Sequence, residues 1–140
     1  MLFRSQGDFI HLPEPAAEQL IADGTASLSV ALGPVNGHIA YSSFAATEAY
    51  LERNTETVHR SIRGYARGLT WLRESDPATV GDAVSGFFPD VPSELITKSV
   101  ARYKEQGTWP AIPHLEQPEY EGLEEILMAA GMVKEHQPYA

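Results

Sequence analysis

The sequence predicts an α/β, helix-rich fold: three short strands followed by about five helices. Three observations point there. Short apolar runs punctuated by Gly and Pro occupy the first third of the chain, with an alternation of period two at Ser27–Leu32. A 3.6-residue apolar period then takes over from about Thr47 and holds to the end. Finally, 140 residues suffice for one core, and a charged share of 21% is that of a folded chain.

Asp8-Phe9-Ile10-His11-Leu12 reads as the first strand. Pro13-Glu14-Pro15 opens a helix, with Pro15 suited to its first position and Gly24 to its stop. In Ser27–Leu32, the second strand, Leu28, Val30 and Leu32 share one side. Gly33-Pro34-Val35-Asn36-Gly37 reads as a loop, and His38–Phe44 as the third strand, with Ile39 and Tyr41 on one face.

The best helical signal runs from about Thr55 to Arg73, with Asn54 as cap. Val58, Ile62, Tyr65, Leu69 and Leu72 form a single stripe that predicts a buried face, while Arg60, Arg63 and Arg67 fall opposite, on a solvated side. Asp76-Pro77 starts the next helix, with Val80, Ala83, Val84 and Phe87 as its expected buried face and Pro89 limiting it. A further helix from about Ser93 to Gln106 buries Ile96, Val100 and Tyr103 and stops at Gly107. After a proline-punctuated loop holding Trp109 and His114, the last helix begins near Pro118, buries Tyr120, Leu123 and Leu127, and ends at Gly131.

Composition removes several function classes. A net charge of −9 argues against a general affinity for nucleic acid or anionic lipid. With no cysteine there is no disulfide, thiol nucleophile or cysteine metal site. No apolar run approaches the roughly 18 residues of a membrane span. Met1–Gly7 is too short and too polar to read as a secretion signal.

Catalytic motifs are missing too. His11, His38, His59, His114 and His136 show no metal-ligand spacing. Gly81 and Gly86 have the spacing of a phosphate loop but lack the Lys-Ser/Thr that follows one, and they fall inside an amphipathic helix. Glu124 and Glu125 read as a solvated pair. Two places remain as candidates. Glu14 is a carboxylate at a strand-to-helix junction, where it either accepts a hydrogen bond from a ligand or simply places a favourable charge at a helix start. Tyr41-Ser42-Ser43 puts hydroxyls on an otherwise apolar strand, either lining a polar site or facing solvent.

The order of segments resembles the nitrate/sulfonate/taurine and thiamine-pyrimidine-precursor binding family, the periplasmic substrate-binding proteins of ABC importers. Gly7–Ala17 is similar to the family's "Gly-x-Asp-Ala … Glu-Pro" segment, and Tyr41–Thr47 resembles its returning strand. Tyr50–Val58 resembles "Tyr-Leu-Glu-x-Asn-Pro-Glu-x-Val"; Gly68–Leu72, Phe88-Pro89-Asp90, Arg102–Pro110 and Glu121–Gly131 continue the series. Thr55 departs from the usual proline, Val91 from a common aspartate cap, and His11-Leu12 from a place often aromatic.

The resemblance implies the C-terminal part of a two-lobed, type II periplasmic-binding-protein fold: residues 1–40 as a strand-helix-strand remnant of the second lobe, and 41–140 as a crossing strand and the helical end of the first. It implies a fragment of a longer protein that captures a small organic solute by lobe closure and delivers it to an ABC permease. No cofactor, no enzyme activity and no direct membrane insertion are expected, and the full-length protein would be periplasmic or lipid-anchored outside the cytoplasm. Glu14, His11, Ser42 and Tyr41 are the expected ligand-binding residues. Two alternatives stand beside it: a thiamine-pyrimidine precursor synthase on the same scaffold, using pyridoxal phosphate and its own histidine, or a stand-alone helical interaction domain.

Overall fold

A computed structural model of the chain describes residues 8–139; the Met1–Gly7 reading lies outside them. Among the described residues all regular structure is helical: α1 Ala16–Ala22, α2 Leu32–Asn36, α3 Glu48–Arg53, α4 Thr55–Glu74, α5 Pro77–Val84, a 3₁₀ turn Ser85–Phe87, α6 Ser93–Glu105 and α7 Gln117–Ala129. The expected α/β class with its three strands is therefore corrected to an all-helical one. The reason is that a strand exists only through a neighbour's ladder. The three segments do not find one here. After α1, the amides of Thr25 and Ala26 both turn back to Leu20 O. The Ala40 amide goes to Glu119 O in the first turn of α7, and Tyr41 N bonds Ile39 O two residues back, which bends the chain off an extended course. Leu28 and Val30, the alternating pair, are 53% and 56% exposed, and Leu32 enters α2, where a loop was expected.

The chain divides into two compact units, each built from two stretches: the described part of Met1–Ser29 with Pro77–Arg102, and Val30–Asp76 with Tyr103 onward. The first unit gathers α1, α5 and most of α6. Val80, Ile96 and Val100 are its buried apolar side chains. The helix boundaries follow local chemistry: α1 stops where Gly24 takes φ +69°, and α5 begins on Pro77. Gly81 is buried, and a Cβ placed there would lie 2.8 Å from Thr97 Oγ1 and 3.3 Å from Thr97 Cα. Its missing side chain is thus what lets α5 approach the backbone of α6. The 3₁₀ turn ends the α5 period early, so Phe87, expected in the buried face, is 81% exposed. Ala83 is exposed as well.

In the second unit α4 behaves as its stripe predicts only toward its C-terminal end. Leu69 is 5% exposed, but Ile62 and Tyr65, also expected in the core, are 47% and 40% exposed. The arginine side is solvated, as expected: Arg60 and Arg63 both reach Glu56, at 2.8 and 3.3 Å. Asn54 precedes α4 but donates its side-chain amide back to Tyr50 O instead of capping forward. Lys104 closes the other end of the helix. Its ammonium donates to the carbonyls of Leu72, of Ser75 at 2.5 Å and of Arg73 at 3.3 Å, satisfying groups a helix terminus leaves open. Thr47 caps α3, its hydroxyl accepting from Tyr50 N at 3.3 Å, and Glu119 accepts the Glu116 amide at 3.0 Å at the start of α7.

Two comparisons test these placements in urea denaturation. Leu69→Ala is expected to cost about 2–5 kcal/mol, and Ile62→Ala clearly less because half its surface is already in water. Gly81→Ala is expected to destabilise by about 1–3 kcal/mol through the clash with Thr97. Gly86→Ala meets nothing within 4 Å and should be close to neutral. Equal effects at 81 and 86 would refute the close-approach assignment.

Candidate functional site

The chemistry-bearing residues gather in two places, one in each unit. In the first unit, Glu14 stands just ahead of α1 and Glu18 in its first turn, while Ser99 and Arg102 lie three apart on one face of α6. Arg102 spans both acids: Nη1 lies 2.6 Å from Glu14 Oε1 and Nη2 2.6 Å from Glu18 Oε2. The carboxylate side chains are 6% and 7% exposed and the Arg102 side chain 23%. The second oxygen of Glu14 accepts the Glu18 amide at 3.0 Å, with Ser99 Oγ 3.4 Å away. Ser99 has one hydroxyl proton, and its shorter bond, 2.8 Å to Leu95 O, takes it.

Two buried carboxylates against one guanidinium leave an excess negative charge. Lys98 feels it: its pKa is raised first by the hydrogen bond and charge of Glu94, 2.9 Å away, and further by Glu18. Glu94 is correspondingly lowered by Lys98. Chemically the cluster pairs one charge-assisted hydrogen bond, Arg102 Nη1 to Glu14, with a close ion pair from Nη2 to Glu18, whose Oε2 is buried without a hydrogen bond.

The second place is α7 and the segment after it. Glu124 is buried, with 8% of its side chain exposed, and takes Gln137 N at 2.6 Å and His136 Nδ1 at 3.1 Å. This corrects the solvated-pair reading: Glu125 is exposed, but Glu124 is not. The backbone amide of Gln137 above all, helped by His136 and Tyr120, holds the Glu124 carboxyl below the usual carboxylate range against the opposing effect of burial. Tyr120 is pushed up by burial and by the nearby Glu124 charge. A signal for this was present in the sequence. Glu124 lies four residues after Tyr120 and three before Leu127, on the face expected to be buried.

The four expected ligand residues divide between the units. His11 and Glu14 belong to the first, His11 exposed and Glu14 engaged with Arg102; Tyr41, 80% exposed, and Ser42, exposed, belong to the second. A separate shallow groove of about 510 Å³ in the second unit is lined by Leu51, Glu52, Thr55, Val58, His59 and Ile62. Among the described residues no group of His, Cys, Asp and Glu could hold a metal ion, and no helix is long and apolar enough to cross a membrane.

The Arg102 cluster predicts a non-additive mutational pattern. Arg102→Met should cost about 3–5 kcal/mol by leaving two buried carboxylates without their cation. Adding Glu14→Gln and Glu18→Gln in the same chain should recover a large part of that loss. Thermal denaturation of the single and triple variants measures it; a triple variant weaker than the single would overturn the charge-burial account.

No family model matches the chain, and no solved structure matches it. A Bacillus subtilis (strain 168) protein named "Putative binding protein YtlA" is 27% identical over 133 residues. The match takes in 95% of this chain but 40% of that protein, so the chain spans about two fifths of the relative's length. The chain is thus similar, almost from end to end, to part of a protein described as a binding protein.

Proposed function

We propose that the chain is part of the solute-binding component of an ABC importer, a protein that captures a small organic solute outside the cytoplasm and hands it to a membrane permease. The observation that carries this reading is the similarity to a named binding protein along 95% of the chain. The ordered series of segments from Tyr50–Val58 to Glu121–Gly131 supports it. Capture and release need no covalent step, and the reading assigns the chain no cofactor and no catalysis.

The solute classes that fit are sulfonate-, taurine- or nitrate-like anions and pyrimidine precursors of thiamine. His11, Tyr41 and Ser42 offer polar groups at exposed positions. A ligand role for Glu14 would require the solute to exchange with Arg102 or Ser99, its present neighbours. A pyrimidine, which carries N–H donors, is better suited to that exchange than an anion, which a carboxylate repels.

One observation favours a second reading, a helical interaction domain: Phe44, at 89% exposure, stacks edge-on against half-exposed Tyr65 at 5.4 Å, with Leu51 and Ile62 also open to solvent in the same unit.

Solute uptake separates the two. Deleting the gene in its source organism should lower uptake of one labelled solute from these classes about tenfold or more, a loss restored by the gene but not by a transport-inactive permease background. Unchanged uptake of every solute in the panel, with the purified chain forming stable oligomers, would replace the importer reading by the interaction domain.

A further inference from the structure

The chain that follows α7 returns along it. Gly131 takes φ +70°, and the amides of Met132 and Val133 both reach Leu127 O, at 2.8 and 3.4 Å. Farther on, Glu124 receives Gln137 N and His136 Nδ1, Tyr139 donates its hydroxyl to Leu115 O, and the Tyr139 ring lies 5.8 Å from Tyr120. Between helix and returning chain lies a cavity of about 420 Å³, walled on one side by Glu121, Glu124 and Glu125 and on the other by His136–Tyr139. One wall therefore exists only while the returning segment is docked.

We propose that Glu124 is the clasp of a C-terminal strap, His136–Tyr139, which closes this cavity and opens when Glu124 is protonated. As a carboxylate, Glu124 gives each donor a charged oxygen; as an acid it loses that charge and turns one oxygen into a donor facing N–H groups. Charged and titratable groups face it from both sides. On α7, Glu121 and Glu125 line the cavity beside it, and Tyr120 hydrogen-bonds to it. On the strap, His136 supports its ionisation, more strongly once the imidazole carries a proton. Protonating His136 thus tightens the clasp, and only protonation of Glu124 itself undoes it.

The direction in pH follows. A carboxyl whose folded pKa is depressed holds its contribution above the ordinary carboxylate range and loses it as pH falls through the lowered value. Amide NMR of the full chain reads this directly, with Leu69 in α4 as an internal reference for folding. At neutral pH the Gln137 amide should be protected from exchange. Glu124→Ala should lower that protection about tenfold or more and move residues 135–139 to random-coil shifts while Leu69 stays protected. Acidifying the wild-type chain should reproduce those tail shifts before α4 unfolds, whereas Glu124→Gln should remove the pH dependence of the tail. Three results would each overturn the clasp: a tail unchanged in Glu124→Ala, a tail that titrates as before in Glu124→Gln, or release only together with α4.

Discussion

A guanidinium taken out of water must bring its counter-charges with it, and in this chain Arg102 does so with Glu14 and Glu18. That requirement ties the opening of α1 to α6 across more than eighty residues of sequence, through a 2.6 Å hydrogen bond to Glu14 and a 2.6 Å ion pair with Glu18. Two residues on, Lys104 performs a comparable task on the carbonyls of Leu72, Arg73 and Ser75. The buried apolar side chains among the described residues, Leu69, Val80, Ile96 and Val100, are few. Polar satisfaction therefore decides much of which segments must meet. Directional bonds fix register more sharply than apolar contact, because they fail within a fraction of an ångström.

What the sequence made legible follows from where each element's hydrogen bonds close. A helix closes them within its own segment, so the α4 stripe, Pro77 at the head of α5 and the glycine stops at Gly24, Gly107 and Gly131 could be read locally. Strands close theirs on a distant neighbour. The alternation Leu28-Val30-Leu32 is a necessary sign of a strand, not a sufficient one, and here the nearby amides go to Leu20, Ile39 and Glu119. The charged clusters were legible in part. Glu14 stood out as a carboxylate at a helix start, but its partner Arg102 is fixed only by tertiary structure. The available clue was two carboxylates, Glu14 and Glu18, close together around one helix start, where like charges drawn inward demand a cation. At Glu124 the wheel position argued for burial and the residue type against it, and position prevailed because the tail supplied the donors.

The functional reading rests on similarity more than on geometry, and the two bear on different questions. A 27% match over 133 residues speaks to kinship with a binding protein. The structure speaks to what individual side chains are free to do. Glu14, attractive in the sequence as a ligand acceptor, is occupied by its own protein, whereas His11, Tyr41 and Ser42 stand open. The proposed binding role asks for such open polar groups and a shaped surface.

The distribution of side chains between inside and outside sharpens that contrast. Glu18, Ser99 and Glu124 are buried, while Phe9, Tyr41, Phe44 and Phe87 are at least four fifths exposed. On α4 the same apolar stripe is core at Leu69 and surface at Ile62 and Tyr65, with the 510 Å³ groove beginning where burial stops. Exposed aromatic area of this kind forgoes roughly 25 cal/mol for each Å² left in water, a cost that a chain recovers only by covering it. The opposite side of α4 carries the Glu56, Arg60 and Arg63 network and keeps its contact with solvent. One helix thus presents a side built for water and a side only half withdrawn from it. That half-withdrawn side is where further cover on α4 would bury the most apolar area.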